Sequence, residues 1–288
     1  MTTEPAGHAA ITESVVRSFD GCPDPRLREI MQKLTKHLHA FAVDAALTEP
    51  EWFAAVQFLT RTGQMCSPER QEFILLSDTL GLSMLVDALN HGGSAQATES
   101  TVLGPFYVPE SPWRHDGDDL MDLSTGQPTV VTGHVTDTSG RPLEGAVVDV
   151  WQNATNMLYA VQDPQQPSDN GRGRFRAGAD GSFTFRTARP VDYPIPHDGP
   201  VGQMLASVGR HPWRPAHIHV IASAEGHQPV TTHMFDSESA HLDSDAVFGV
   251  KSSLVRRFQP HDPAAETPPE GISGQWFTVD LTIALQPL

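Results

Sequence analysis

The chain has 288 residues, 39% of them hydrophobic and 19% charged, enough for a sizeable core in one or two domains. Nineteen Lys+Arg against 35 Asp+Glu give a formal net charge of −16. That balance argues against a nucleic-acid or anionic-membrane partner and suits a protein that handles small molecules. No stretch approaches the about 20 apolar residues of a membrane span, and Met1 to Thr12 lacks a basic start followed by an apolar run. Cys22 and Cys66 have no paired spacing, which reads as two free thiols in a reducing cytoplasm.

The first third reads as helical. Leu27, Ile30, Met31, Leu34, Leu38 and Phe41 recur at helical spacing along one face. Thr48-Glu49-Pro50-Glu51 is a capping-box pattern with proline in the first turn, opening a helix that carries Trp52, Ala55, Val56 and Leu59. A further helix is expected from Ser67-Pro68 through Phe73, Leu76, Leu80 and Met84, stopping near Asn90-His91-Gly92-Gly93. Such stripes are buried against one another or against a partner subunit, so residues 1–100 are expected to form a helical dimerisation and linker domain.

From Ser94 to about Pro128 the helical pattern breaks at Gly104-Pro105, Pro109, Pro112 and Gly126. An ordered loop of this length often carries function. After Pro128 the period changes to two. Val131, Gly133 and Val135 alternate, Ser139-Gly140-Arg141-Pro142 turns the chain, and Ala146 to Gln152 reads as a second strand. Phe175 to Phe185 is expected to fold as a hairpin about Asp180-Gly181. His217–Ser223, Val230–Phe235 and Trp276–Leu285 add further strands. Short strands between turns point to an antiparallel β-sandwich over residues 101–288, and the whole chain to an α+β class.

His217-Ile218-His219 is the first chemical candidate. Residues two apart in a strand share a face, so both imidazoles can reach one ion while Ile218 and Val220 face the core. Taken alone, the pair also fits a non-catalytic β-sandwich, or a cupin-like Fe(II) site that would want a carboxylate ligand nearby. Three tyrosines exist, and Tyr159 and Tyr193 lie in the β region shortly before the histidines. Tyr193-Pro194-Ile195-Pro196 is a stiff loop that fixes the direction of its phenol. Two phenolates and two imidazoles together favour ferric over ferrous iron. Arg214 either pairs with one of the many acids or stabilises negative charge that develops on a substrate. His197, His211, His227 and His241 have no comparable company, and Trp151 and Trp276 read as core.

Four segments in order resemble the intradiol ring-cleaving dioxygenases. They are Leu103-Gly104-Pro105-Phe106-Tyr107, Gly145 to Gln152 (GAVVDVWQ), Asp192-Tyr193-Pro194-Ile195-Pro196 and Arg214-Pro215-Ala216-His217-Ile218-His219. The helical first third resembles the dimerisation region of the family's catechol-type branch. The resemblance implies a β-sandwich holding one non-haem Fe(III) per subunit on Tyr159, Tyr193, His217 and His219. It departs at Ala160, where many relatives carry aspartate; in an extended chain that side chain points away from the metal.

Leu75 to Gly81 and Asp243 to Lys251 look like the hydroxyquinol-cleaving branch of that family, and His233 stands where catechol-type enzymes typically carry glutamine. The resemblance implies that both atoms of O2 enter hydroxyquinol (benzene-1,2,4-triol) as its ring opens between the adjacent hydroxyls, giving 3-hydroxy-cis,cis-muconate and then maleylacetate. The alternative is a catechol or chlorocatechol 1,2-dioxygenase giving cis,cis-muconates. Arg214, Tyr193 and His233 are the expected catalytic groups. Leu75, Asp78, Val102, Leu103, Gly104, Pro105, Phe106, Ile195, Pro196 and Val247 are expected around the ring, with Asp78 accepting a hydrogen bond from a third ring hydroxyl. As partners the resemblance implies the aromatic diol or triol, O2, a second copy of the chain and a phospholipid-like amphiphile at the helical interface.

Overall fold

The computed structural model describes residues 6–67, 70–92 and 95–288. The chain divides into two compact units, Met1–Arg61 and Thr62–Leu288. The first contains α1 (Ala6–Ser18), α2 (Pro25–Asp44) and most of α3 (Glu49–Gln64). Asp24 caps α2: its Oδ1 accepts from the backbone N–H of Arg26 at 2.8 Å and of Leu27 at 3.2 Å, with Pro25 at the first helical position. The capping box of α3 forms as expected, with Thr48 N donating to Glu51 Oε2 at 2.9 Å and Glu51 N to Thr48 Oγ1 at 3.5 Å. Helix α1 was not expected, because its few apolar residues form no stripe. Tertiary polar contacts hold it instead, among them Gln32 Nε2 donating to Val16 O at 3.2 Å. The apolar stripe of α2 stays uncovered: Leu27, Ile30, Leu34, Leu38 and Phe41 are 45–59% exposed.

In the second unit the single helix expected from residue 68 is two helices, α4 (Glu72–Thr79) and α5 (Leu82–His91). Gly81, at φ +73°, breaks the run, since a left-handed residue cannot continue a right-handed helix. Of the expected start at Ser67-Pro68, Pro68 lies outside the described residues; α5 ends at His91 with Gly92 as its C-cap, inside the expected stop at Asn90-His91-Gly92-Gly93, of which Gly93 lies outside the described residues. A short helix, α6 (Pro200–Ser207), was also not expected. The buried Glu72 carboxylate ties α4 to it, accepting from Val201 N at 3.1 Å while Arg70 pairs with its other oxygen at 3.0 Å.

Strands β1 (Pro128–Asp137), β4 (Ser182–Ala188), β10 (Gln259–His261) and β11 (Trp276–Leu285) form one sheet in the order β10-β11-β1-β4. Strands β2 (Val147–Trp151), β3 (Arg172–Arg176), β7 (His217–Ser223), β8 (Val230–Asp236) and β9 (Val255–Arg256) form a second in the order β3-β2-β7-β8-β9. A two-residue ladder pairs β5 (Tyr193–Pro194) with β6 (Trp213–Arg214). Pairing is mostly antiparallel. Strands β1 and β11 run parallel, as do β8 and β9, which their long connections permit. The core lies between the two larger sheets, where Val131, Phe183, Phe185 and Ile283 meet Val148, Phe175, Ile218 and Val220.

The expected hairpin about Asp180-Gly181 is a correction. The turn is present, with Gly178 N donating to Ser182 O at 2.8 Å, but β3 pairs with β2 and β4 with β1, in different sheets. The turn is a corner between layers. Phe175 and Phe185 therefore meet across the core, with ring centroids 5.3 Å apart, rather than side by side on one sheet.

Candidate active site

The site is built on the face of the five-stranded sheet turned away from the core. Along β7, Ile218 and Val220 point into the sandwich, so His217 and His219 point outward together. Register places Trp151 of β2 and His233 of β8 on either side of His219. The Trp151 ring lies flat on the His219 imidazole, centroids 4.6 Å apart and 10° between planes. The ladder of β5 with β6 sets Tyr193 opposite Arg214, and Tyr159 ends a loop stacked on Phe106 at 4.6 Å.

Donor atoms converge in this pocket. His219 Nε2 is 3.1 Å from Tyr159 Oη and 3.1 Å from His217 Nε2. One guanidinium nitrogen of Arg214 is 3.3 Å from His217 Nε2 and donates to Tyr193 Oη at 3.5 Å. All four of the expected ligands are at most 3% exposed. Burial, reinforced by the Arg214 charge, holds His217 down to about 3, so its ring is neutral. Burial and the neighbouring His217 push His219 well below the usual imidazole range. Burial, with Tyr193 beside it, pushes the Tyr159 phenol well above 10.

This donor set fits a metal cation. His217 Nδ1 lies 2.7 Å from the Pro215 carbonyl, which can only accept, so the ring proton sits there and Nε2 presents a lone pair. That lone pair faces His219 Nε2, and two hard phenol oxygens stand alongside. A cation among them would stabilise the phenolates that burial alone disfavours. Among the histidine, cysteine, aspartate and glutamate side chains of the described residues, the donor atoms of His217, His219 and His233 also lie within 4.8 Å of one another, close enough to hold a metal ion. His233 stands behind His219: its Nε2 is 2.7 Å from His219 Nδ1, the nitrogen opposite the phenols.

Arg214 is itself pinned. Its Nε donates to Asp245 Oδ1 at 3.0 Å and its second terminal nitrogen to Oδ2 at 3.2 Å, both side chains being almost fully buried. Burial alone would raise the Asp245 carboxyl. The Arg214 charge and hydrogen bond, and the N–H of Val247, outweigh it and hold the carboxyl below the usual range. The same carboxylate accepts from Gly249 N at 2.9 Å, so one acid fixes both the cation and the loop that carries Val247.

Beside this centre a cavity of about 700 Å³ is lined by Ile74, Asp78, Ser83, Val102, Leu103 and Gly104, among others. Gly104 joins the two: at φ +77°, a Cβ added to it would stand 3.3 Å from His219 Cε1. Asp78, open to reading as a solvated helix residue, is 3% exposed and hydrogen-bonded to Ser83. Burial raises its carboxyl above the usual range. Leu75, Val102, Phe106, Ile195 and Val247 are also buried; Gly104, Pro105 and Pro196 are partly so, and Leu103 is exposed.

A dioxygenase family model matches residues 102–281, and a model of the catechol dioxygenase N terminus matches residues 24–98. A hydroxyquinol 1,2-dioxygenase from a Rhizobium species is 48% identical over 266 residues, 92% of this chain and 90% of that protein. The chain belongs to the intradiol ring-cleaving dioxygenases. The crystal structure of hydroxyquinol 1,2-dioxygenase from Pseudomonas putida superposes with a TM-score of 0.92 at 48% identity, covering 99% of this chain and all of that one. The catechol 1,2-dioxygenase of Pseudomonas arvilla superposes at 0.83 with 28% identity, covering 99% and 93%.

Sequence reasoning missed several groups of this dioxygenase site. Trp151, read as core, packs on a candidate ligand. Asp245 lay inside a segment noted only for its likeness to relatives; the signal for it was that a buried arginine requires a counter-ion. Thr101, whose Oγ1 is 2.6 Å from His233 Nδ1, gave no signal at all.

Proposed function

We propose that this dioxygenase cleaves hydroxyquinol between its adjacent hydroxyls, giving 3-hydroxy-cis,cis-muconate and, by tautomerisation, maleylacetate. The observation that carries the substrate is the buried Asp78 carboxyl on the wall of a cavity that Gly104 joins to His219. Catechol fills such a ring pocket without using that acid. A third ring hydroxyl gives the acid a partner, and sites built around a buried hydrogen bond discriminate strongly against analogues that lack it. The relatives named for hydroxyquinol, at 41–48% identity, support the same choice over catechol or chlorocatechol.

Tyr159, Tyr193, His217 and His219 would hold one non-haem ferric ion per subunit. Bound there, it would supply a Lewis acid and a template for the two adjacent substrate oxygens. Tyr193 Oη would also be the group to take a substrate hydroxyl proton, so that ligand and base would be one residue. Arg214, kept in place by Asp245, offers a fixed cation to the negative charge that develops on the ring. His233 acts through His219. Leu75, Val102, Phe106, Ile195 and Val247 give the ring an apolar enclosure.

The reading includes a homodimer through the N-terminal helices, supported by the uncovered stripe of α2. It extends to an amphiphile at that interface and to a division of labour near residue 100 between assembly and catalysis. Work in the cytoplasm belongs to it too, supported by the free Cys22 and Cys66; no described helix is long and apolar enough to cross a membrane.

The test is oxygen uptake by iron-loaded protein, hydroxyquinol against catechol, with autoxidation subtracted. Strong hydroxyquinol-dependent uptake yielding maleylacetate is expected. Uptake mainly with catechol would refute the substrate.

A further inference from the structure

The two histidines that point at the donor cluster are oriented by different devices. Behind His217 is a backbone carbonyl, 2.7 Å from Nδ1, which fixes the proton there and the lone pair at Nε2. Behind His219 is a relay: His219 Nδ1 lies 2.7 Å from His233 Nε2, and His233 Nδ1 lies 2.6 Å from Thr101 Oγ1. All three side chains are buried. Thr101 belongs to a short anchored segment, where its own N–H donates to Thr231 O at 2.8 Å and Lys251 Nζ donates to Ser100 O at 2.6 Å.

A relay of two neutral imidazoles and a hydroxyl has two proton arrangements. In one, Thr101 donates to His233 Nδ1, His233 Nε2–H donates to His219 Nδ1, and the proton of His219 is left on Nε2. There it meets the lone pair of His217 at 3.1 Å, a good hydrogen bond and no metal site. In the other, His219 Nδ1–H donates to His233, His233 Nδ1–H donates to Thr101, and His219 Nε2 is a free lone pair. Only the second can ligate a metal. A hydroxyl is the end group that satisfies both, because it accepts as well as it donates.

We propose that Thr101 is a positioning residue for the metal site, acting through His233 to hold His219 in the tautomer whose Nε2 is open to a cation. This rests on the ferric site proposed above. The relay turns over when metal binds, and the Thr101 hydroxyl changes from donor to acceptor. Without that hydroxyl, the metal-bound arrangement buries the His233 Nδ1–H with no partner, while the metal-free arrangement leaves only an unused acceptor. The loss therefore falls on the bound state.

The variant is Thr101→Val, which keeps the shape and removes the hydroxyl. The readouts are the rate of iron release to a competing chelator and the visible absorption of phenolate bound to ferric iron. Iron affinity is expected to fall roughly 10- to 100-fold, the range typical of lost partners behind metal ligands. Thr101→Ser, which retains the hydroxyl, is expected to hold iron like the wild type. In a His233→Gln background the amide accepts from His219 Nδ1 directly, so adding Thr101→Val is expected to change affinity by less than about threefold. Iron held as tightly by Thr101→Val as by the wild type overturns the proposal and leaves the ferric site standing. A Thr101→Val cost undiminished in the His233→Gln background overturns it too, since Thr101 then acts by another route. A wild-type protein that binds no ferric iron overturns both readings.

Discussion

Replacing Asp78 by alanine tests the substrate assignment most directly. The carboxyl is 3% exposed, is bonded to Ser83, and lies on the wall of the cavity that reaches His219 through Gly104. If it accepts a hydrogen bond from the third hydroxyl of hydroxyquinol, its removal leaves that hydroxyl buried without a partner. A hydrogen bond to a charged group contributes about 1.5–3 kcal/mol, so kcat/KM for hydroxyquinol should fall roughly 10- to 100-fold. Catechol never used the acid, and its kcat/KM should change by less than about threefold. Parallel oxygen-uptake assays on wild type and variant give both ratios; equal losses for the two substrates would refute the role of Asp78. Stability supplies an independent readout. Burial raises this carboxyl's folded-state pKa, so the folded protein holds that proton more tightly than the unfolded chain does. The contribution of Asp78 is thus favourable below the usual carboxylate range and is lost as pH rises through the raised value. Asp78→Asn should therefore be more stable than the wild type at neutral pH, with the difference closing in acid. An acid retained at a cost to stability is what a binding role requires.

Asp245→Ala leaves Arg214 buried without a counter-charge, which should cost about 3–5 kcal/mol in urea unfolding; a loss under about 1 kcal/mol would show that water or another acid compensates. Because the Asp245 carboxyl is held below its usual range, its contribution is present above that range and disappears as pH falls through the depressed value, so wild type and Asp245→Ala should converge in acid. Tyr159→Phe removes one phenol oxygen from the donor cluster and should weaken iron retention and shift the visible band, whereas an unchanged spectrum would exclude Tyr159 as a ligand. Leu34→Glu with Leu38→Glu places two charges on the uncovered stripe of α2 and should give monomers in sedimentation; an unaltered dimer would put the interface elsewhere.

Much of this architecture was legible in the sequence because local chemistry dictated it. The capping box of α3, the alternation along β1 and the strand His217–Ser223 each follow from residues within one turn or one strand. The misreadings have equally local causes. Gly81 sits inside an otherwise helical pattern, and only its positive φ shows that it ends α4. Asp180-Gly181 makes the turn a hairpin would use, but a turn motif does not say whether its flanking strands stay in one sheet. The bulk of Phe175, Phe183 and Phe185 favoured both layers facing one core.

Site residues divide in the same way. His217, His219, Tyr193 and Arg214 could be proposed because strand period and the rigid Tyr193-Pro194 segment already aim them. Most of the groups that support them could not, because the connections run across the sheet. Trp151 reaches His219 through the pairing of β2 with β7, and Thr101 lies 132 residues from the histidine it meets. His233 was expected only through the family resemblance, and the pairing of β7 with β8 is what sets it behind His219. Asp245 is 31 residues from Arg214 and binds through a loop with no periodicity to read. Each of these partners fixes the direction of a group without touching the cavity's contents, so its chemistry carries no signature of its own. What makes them necessary is burial. Outside the core but sealed from water, an imidazole or a guanidinium keeps its orientation only if every polar atom behind it is bonded. The residues aimed at a substrate can therefore be proposed from sequence, while those that aim them follow only from the register of the folded sheet.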